Sequence, residues 1–260
     1  MKFNRVGSNF HPLMFDSRHF GWVNGQRVLD QGSYISYCEH LINLLDNKKL
    51  RLRWSAADQL GKFHCQHAIE PLIWALNDPH WLVRLHAAKA LGRIGDKSVV
   101  QSLVHATNDE NAYVRRRVIS ALGQFIEENG VFEAIVLALN DSDRVVRANA
   151  VKSLSNSNHP DSIKLIAQAV LDQDVNVSWR AVEALERSGG KAVSCLLDLL
   201  SQDNDAGVLY RSIKTLGNIG DDRAREPIEQ FLKHPESLVS GRAAYALRQI
   251  NYQQAFLSRR

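Results

Sequence analysis

The chain has 260 residues, 45% of them hydrophobic, and a formal net charge of +4 with an isoelectric point near 9.0. That length supports a sizeable buried core, and no apolar run approaches the roughly 18 residues a bilayer span needs, so no membrane partner is expected. The mild positive charge permits an acidic partner or an anionic ligand without demanding one.

In chain order, residues 1–35 come first, with Phe3, Phe10, Phe15, Phe20, Trp22 and several glycines but no clear period. They read as an N-terminal cap over the open face of the first repeat, or as a segment that folds over a ligand. Met1–Phe10 has no continuous apolar stretch, so no signal peptide is expected. Cys38, Cys65 and Cys195 are widely spaced and odd in number. That argues against a disulfide framework and for a reducing, cytoplasmic setting.

Residues 36–251 repeat themselves. Segments ending on Leu60, Leu91, Leu122, Leu154, Leu185, Leu216 and Leu247 align, with steps of 31, 31, 32, 31, 31 and 31 residues. A period of this size with two helical patterns per unit predicts a stacked solenoid. The expected fold is therefore all-α, an α-α superhelix of about seven helix pairs. In the second unit, Ala68–Leu76 carries a helical apolar stripe. Asn77-Asp78-Pro79 breaks it, with Asp78 placed to cap the next helix. Trp81–Ile94 is that second helix, and Gly95 ends it. Val83, Ala87, Ala90, Leu91 and Ile94 share the face that must be core, with Leu82, Leu85, Lys89 and Arg93 opposite and His86 on the flank. Residues 252–260 read as a basic tail.

The exposed stripe changes along the chain. The place of Leu85 is taken by Trp54, Arg116, Ala148, Trp179, Tyr210 and Gly241, and that of His86 by Ser55, Arg117, Asn149, Arg180, Arg211 and Arg242. Lys89 is matched by Asp58 and Glu183, among others. A second series, Arg53, Arg84, Arg115 and Arg147, stands near Asp78, Asp109 and Asp141 and reads as a stacking ladder between units. It stops at Ser178, Leu209 and Ser240, where arginine moves two residues on, to Arg180, Arg211 and Arg242. Guanidinium forks at those places suit carboxylates, phosphates and aromatic planes.

No phosphate loop or nucleophile elbow is present. The chain has no His-Glu dipeptide of the kind di-iron hydroxylases built on the same repeats use. Cys38, His40, His64, Cys65 and His67 lack clear zinc spacing, so no metal is expected. On or beside the exposed stripe stand His86 and Glu183. Trp54, Arg117, Trp179, Arg180, Tyr210, Arg211 and Arg242 remain for ligand or partner binding, with His64 and Cys65 as a secondary site.

The run Val83–Asp96 matches the pattern Val-Arg-x-x-Ala-Ala-x-Ala-Leu-Gly-x-Ile-Gly-Asp at nearly every position, and the sequence resembles short-period HEAT repeats. Its Leu-Gly-x-Ile-Gly-Asp ends (Leu91–Asp96, Leu216–Asp221) and Asn-Asp turns (Asn77–Arg84, Asn108–Arg115, Asn140–Arg147) are similar to those of the phycobilin lyase E/F family. His64-Cys65-Gln66 keeps the centre of the Asn-His-Cys-Gln-Gly-Asn motif of isomerising members, without its flanks.

The resemblance implies a subunit or chaperone that helps attach an open-chain tetrapyrrole, a bilin, to a phycobiliprotein cysteine. The bilin is then substrate rather than resident cofactor, and a second HEAT-repeat subunit is an expected partner. The arginines would hold the propionates, the aromatics would flank the conjugated plane, and His86 or Glu183 would be the proton donor. The alternative is a non-enzymatic adaptor that docks a protein. Nucleic acid is the least favoured partner, because Asp58 and Glu183 interrupt the basic stripe.

Overall fold

Small and β-branched residues at helical spacing let one helix of each repeat lie close against the next. The computed structural model describes residues 20–23, 26–29, 31–202 and 205–257, and the chain divides into two units, residues 1–121 and 122–260. In both, the described residues form helix pairs in succession, as the period predicts.

In the first unit, a two-stranded antiparallel hairpin, β1 (Phe20–Val23) and β2 (Gln26–Leu29), precedes α1 (Gln31–Leu44). The hairpin was not foreseen. The rest of the expected 1–35 cap lies outside the described residues, apart from the start of α1 at Gln31, ahead of the expected boundary. Then come α2 (Leu50–Lys62), α3 (Ile69–Ala75), α4 (Trp81–Ile94), α5 (Val100–His105) and α6 (Ala112–Leu122), whose last residue is the first of the second unit. The second unit holds α7 (Val131–Ala138), α8 (Arg144–Leu154), α9 (Ser162–Gln168) and α10 (Val175–Ser188). It ends with α11 (Val193–Leu200), α12 (Ala206–Ile219), α13 (Arg225–Glu229) and α14 (Ser237–Leu257). The supposed tail is thus helical as far as Leu257.

The short first helix of several pairs is entered through a 3₁₀ turn, which Asp96 and Asp221 cap by accepting from Ser98 and Arg223 N–H. The longer second helices of the second unit start on Asp143, Asp174 and Asp205, whose carboxylates accept the first free amides. In α4 that role falls to His80 and not to Asp78, a correction to the sequence reading. Asp78 instead accepts from His80 N–H and holds Arg53. Gly95 and Gly220 end α4 and α12 in the left-handed region.

The expected core face of α4 is buried throughout: Val83, Ala87, Ala90, Leu91 and Ile94. The Leu-Gly tag has a packing reason. A Cβ on Gly61 would sit 2.5 Å from the Ala90 backbone on α4, and one on Gly217 would sit 2.8 Å from the Ala246 backbone on α14. Successive second helices meet there almost backbone to backbone.

The arginine–aspartate series is a ladder, with rungs that reach forward. Arg53 binds Asp78, Arg84 binds Asp109 and Arg147 binds Asp172, each with Nε at 2.7 Å and a second bond completing the fork. Each guanidinium also donates to a carbonyl of its own turn, Asn47, Asp78 and Asp141 respectively. Every rung therefore ties two turns and one helix together. Asp172 is a rung the sequence reading did not name. Beyond it the ladder ends, as expected, at Ser178, which is buried and donates to the Val175 carbonyl.

The reading of three unpaired cysteines is corrected in one respect. Cys38 on α1 is disulfide-bonded to Cys65, which leads into α3, and Cys195 is free. Helix α1 lies across the turn after α2, where the Tyr34 hydroxyl also donates to the Phe63 carbonyl at 3.0 Å and Tyr37 meets Phe63 edge-on. That packing brings two thiols 27 residues apart in sequence within bonding reach.

Candidate functional site

The sequence-named binding residues fall into two groups, one in each unit. In the second unit they stand on three successive second helices, with α10 packed on α12 and α12 on α14. The 31-residue step puts Arg180, Arg211 and Arg242 in the same register of these helices. Aromatic rings flank the stripe. Lys214 lies 4.3 Å from the Trp179 ring centre, and the Arg242 guanidinium lies 4.6 Å from Tyr210 and 5.2 Å from Tyr245, within cation–π range. Arg242 also donates to the Tyr210 hydroxyl.

None of the three arginines has an acidic partner among the described residues. Arg180 makes no ion pair or hydrogen bond there. Arg211 donates only to the Val170 carbonyl, at 3.2 Å, and the Nε atoms of Arg211 and Arg242 are buried without an acceptor. Burial pushes the Arg211 guanidinium below its usual range, opposed only by the more distant charge of Asp205. A guanidinium never gives up its proton in a protein, so these remain cations with donors to spare. Glu183 is exposed on α10, one turn beyond Trp179.

In the first unit, Trp54, His86 and Arg117 belong to a cluster organised by a residue not counted among the site residues, Asp58. This carboxylate is buried, 7% exposed. It takes Lys62 at 2.7 Å, Lys89 at 2.8 Å and Arg93 at 3.4 Å, with His86 Nδ1 at 3.4 Å but outside hydrogen-bond geometry. His86, followed by Lys62 and Lys89, holds the Asp58 carboxyl far below the usual carboxylate range against the opposing pull of burial. Trp54 packs on His86 with ring centres 5.1 Å apart. Arg117 is half-buried with Nε unbonded, and burial and then the nearby Arg93 charge lower its pKa. The sequence signal was there: Lys62 and Arg93 share a register, as do Asp58 and Lys89.

His86 lies in the first unit and Glu183 in the second, and His86 is engaged by Asp58. In the secondary pair, Cys65 is buried in the disulfide, while His64 is exposed beside it. A cleft of about 730 Å3 in the first unit runs along the ladder turns instead, past Asp78, Arg84 and Asp109. Arg84 there is already satisfied by Asp109 and Glu110, so the cleft offers a ligand no free charge of its own. No described helix is long and apolar enough to cross a membrane.

The family model for HEAT repeats matches residues 38–128, 132–211 and 193–256. Among solved structures, the complex of CpcE and CpcF of phycocyanin lyase from Nostoc sp. PCC7120 is similar, at 23% identity and a TM-score of 0.53, over 83% of this chain and 94% of the other. YibA of Escherichia coli aligns at 19% identity and a TM-score of 0.51, over 85% and 96%. Importin beta aligns at 13% identity and a TM-score of 0.67, over 84% of this chain but 36% of its own. At such identities the likeness is one of fold. No curated protein matches the chain by sequence.

Proposed function

Because the chain belongs to the HEAT-repeat family, whose model matches most of its length, its activity must come from side chains displayed on the repeats, and we propose that it is a lyase-like subunit that binds an open-chain tetrapyrrole for attachment to a phycobiliprotein cysteine. The observation that carries this reading is the row of Arg180, Arg211 and Arg242, without acidic partners and set among Trp179, Tyr210 and Tyr245. A flat diacid needs carboxylate-binding forks and aromatic faces together. The likeness in fold to the CpcE–CpcF lyase complex supports it and suggests a second HEAT-repeat subunit as partner.

In this reading the nucleophile is the acceptor protein's thiol. It adds across the vinylic double bond of the ligand; the Sγ–C bond forms, the double bond is consumed and a proton ends on the ligand. The chain's own residues fix the propionates, exclude water and orient the reacting carbon. Glu183, exposed one turn from Trp179, is the proton donor in reach of the same stripe, with His86 of the first unit the other candidate.

The test is co-expression with bilin-synthesising enzymes and a panel of phycobiliprotein subunits, reading covalent zinc-fluorescent bands. Bands that require this chain, and that fade when Arg180, Arg211 and Arg242 are changed to glutamine, support the reading. No band and no co-purifying bilin overturn it. A second reading, a protein-binding adaptor, is favoured by Trp74 and Leu137, 72% and 74% exposed on the first helices of their pairs. In that case the same three arginines meet a partner's carboxylates, and their charge reversal abolishes capture of that partner.

A further inference from the structure

The cluster around Asp58 has a surplus of charge that the lyase reading does not use. Lys62, Lys89, Arg93 and Arg117 are four cations around one carboxylate, a surplus of three positive charges before His86 is counted. A structural ion pair would close near neutrality. Here one acid gathers three cationic side chains, drawn from α2 and α4, and each spends one donor on it and keeps the rest. A fourth cation, Arg117 of α6, is half-buried near Arg93; it makes no ion pair or hydrogen bond among the described residues, its Nε is unbonded, and only the charge of Asp58, already shared by three other cations, opposes the cost of its burial. Burying an unpaired charge next to a like charge is unfavourable unless something answers it. The outer rim is open: the Lys62 and Arg93 side chains are 49% and 38% exposed, while Asp58 forms the floor.

We propose that Lys62, Lys89, Arg93 and Arg117 form an oxyanion-binding site in the first unit for a small ligand with two or more negative charges. Asp58 is a positioning residue. It holds Lys62, Lys89 and Arg93 convergent and leaves their remaining donors, with those of Arg117, directed to one anion. Phosphate esters and clustered carboxylates share the required chemistry. These residues belong to the first unit and the arginine row to the second, with no residue in common, so the two readings fail independently.

Calorimetric titration of the whole chain at fixed ionic strength, with pyrophosphate, citrate and acetate as probes, tests it. Pyrophosphate or citrate should bind saturably and acetate should not, and whichever of the two binds tighter identifies phosphate or carboxylate as the source. Arg117→Gln should weaken binding by about 10- to 100-fold, the loss of one charge-assisted contact, while Arg144→Gln, at a solvent-facing arginine of the second unit, leaves it unchanged. Thermal melts guard against a folding artefact. Without anion, Arg117→Gln should melt no lower than the parent, since it removes an unanswered charge; with pyrophosphate the parent should rise above it. Absence of saturable binding, or equal affinity in Arg117→Gln, overturns the proposal.

Discussion

Gly217→Ala is the sharpest test of how the repeats are held together. In an exposed helix interior, glycine to alanine adds about 1 kcal/mol of stability through propensity. At Gly217 the new methyl would stand 2.6 Å from Ala246 Cβ and 2.8 Å from Ala246 Cα, so α12 and α14 must part along their packed length. Overpacking of this kind costs about 1–3 kcal/mol, toward the upper end where the obstacle is backbone. The net is a loss of about 1–2 kcal/mol, or a melting temperature lowered by roughly 2–8 °C in a chain of this size. Gly241→Ala is the control, because it lies inside α14 with nothing within 4 Å of its new Cβ. It should raise the melting temperature by about 2–4 °C. Calorimetry on both variants decides it. If Gly217→Ala stabilises as much as Gly241→Ala, the close approach of successive second helices is not a constraint and the packing account of the Leu-Gly tag is wrong.

Arg147→Ala removes a side chain 8% exposed and strands Asp172. It should lower urea stability by about 3–5 kcal/mol, whereas Arg144→Ala, whose partner bond is 3.3 Å long and solvent-facing, should change it by less than about 1 kcal/mol. Asp58 has a depressed folded-state pKa, so its contribution is complete above its unfolded value near ~4 and is lost as pH falls below that. Asp58→Asn should therefore lose about 2–3 kcal/mol at neutral pH. The gap to the parent should narrow on acidification in parallel urea titrations, and a gap that is constant with pH would contradict the assignment. The Cys38–Cys65 bond closes a loop of 27 residues in separation, worth about 3–4 kcal/mol by loop entropy. Reductant should lower the melting temperature of the parent and leave that of Cys38→Ser unchanged.

The repeat, the buried face of α4 and the ladder were legible because each depends on one residue type recurring at one register, which a periodic sequence displays directly. The arginine row was legible for the same reason. The Asp58 cluster was legible only in part: the shared register of Asp58 and Lys89 shows in the repeat, but the partners sit 4, 28, 31 and 35 residues away on two helices, and each pair alone reads as an interrupted surface stripe. The disulfide was hidden by its dependence on how α1 crosses the turn after α2, a matter of packing rather than spacing. The capping role given to Asp78 failed because the aspartate is claimed by Arg53 from the preceding repeat.

That forward reach has a consequence for how the chain is made and where it can be shortened. Each rung spans 25 residues, so during synthesis an arginine waits for one further repeat to emerge before its acid arrives. A chain stopped between Arg53 and Asp78, or between Arg147 and Asp172, keeps a guanidinium whose counter-ion has not been made. Past Asp172 no such debt accumulates. Truncations that remove α14, or α12 through α14, break no rung, whereas cuts inside the earlier spans strand a buried cation. A truncation series scored for protease resistance should therefore lose protection in steps at Asp78, Asp109 and Asp172, and not evenly with length.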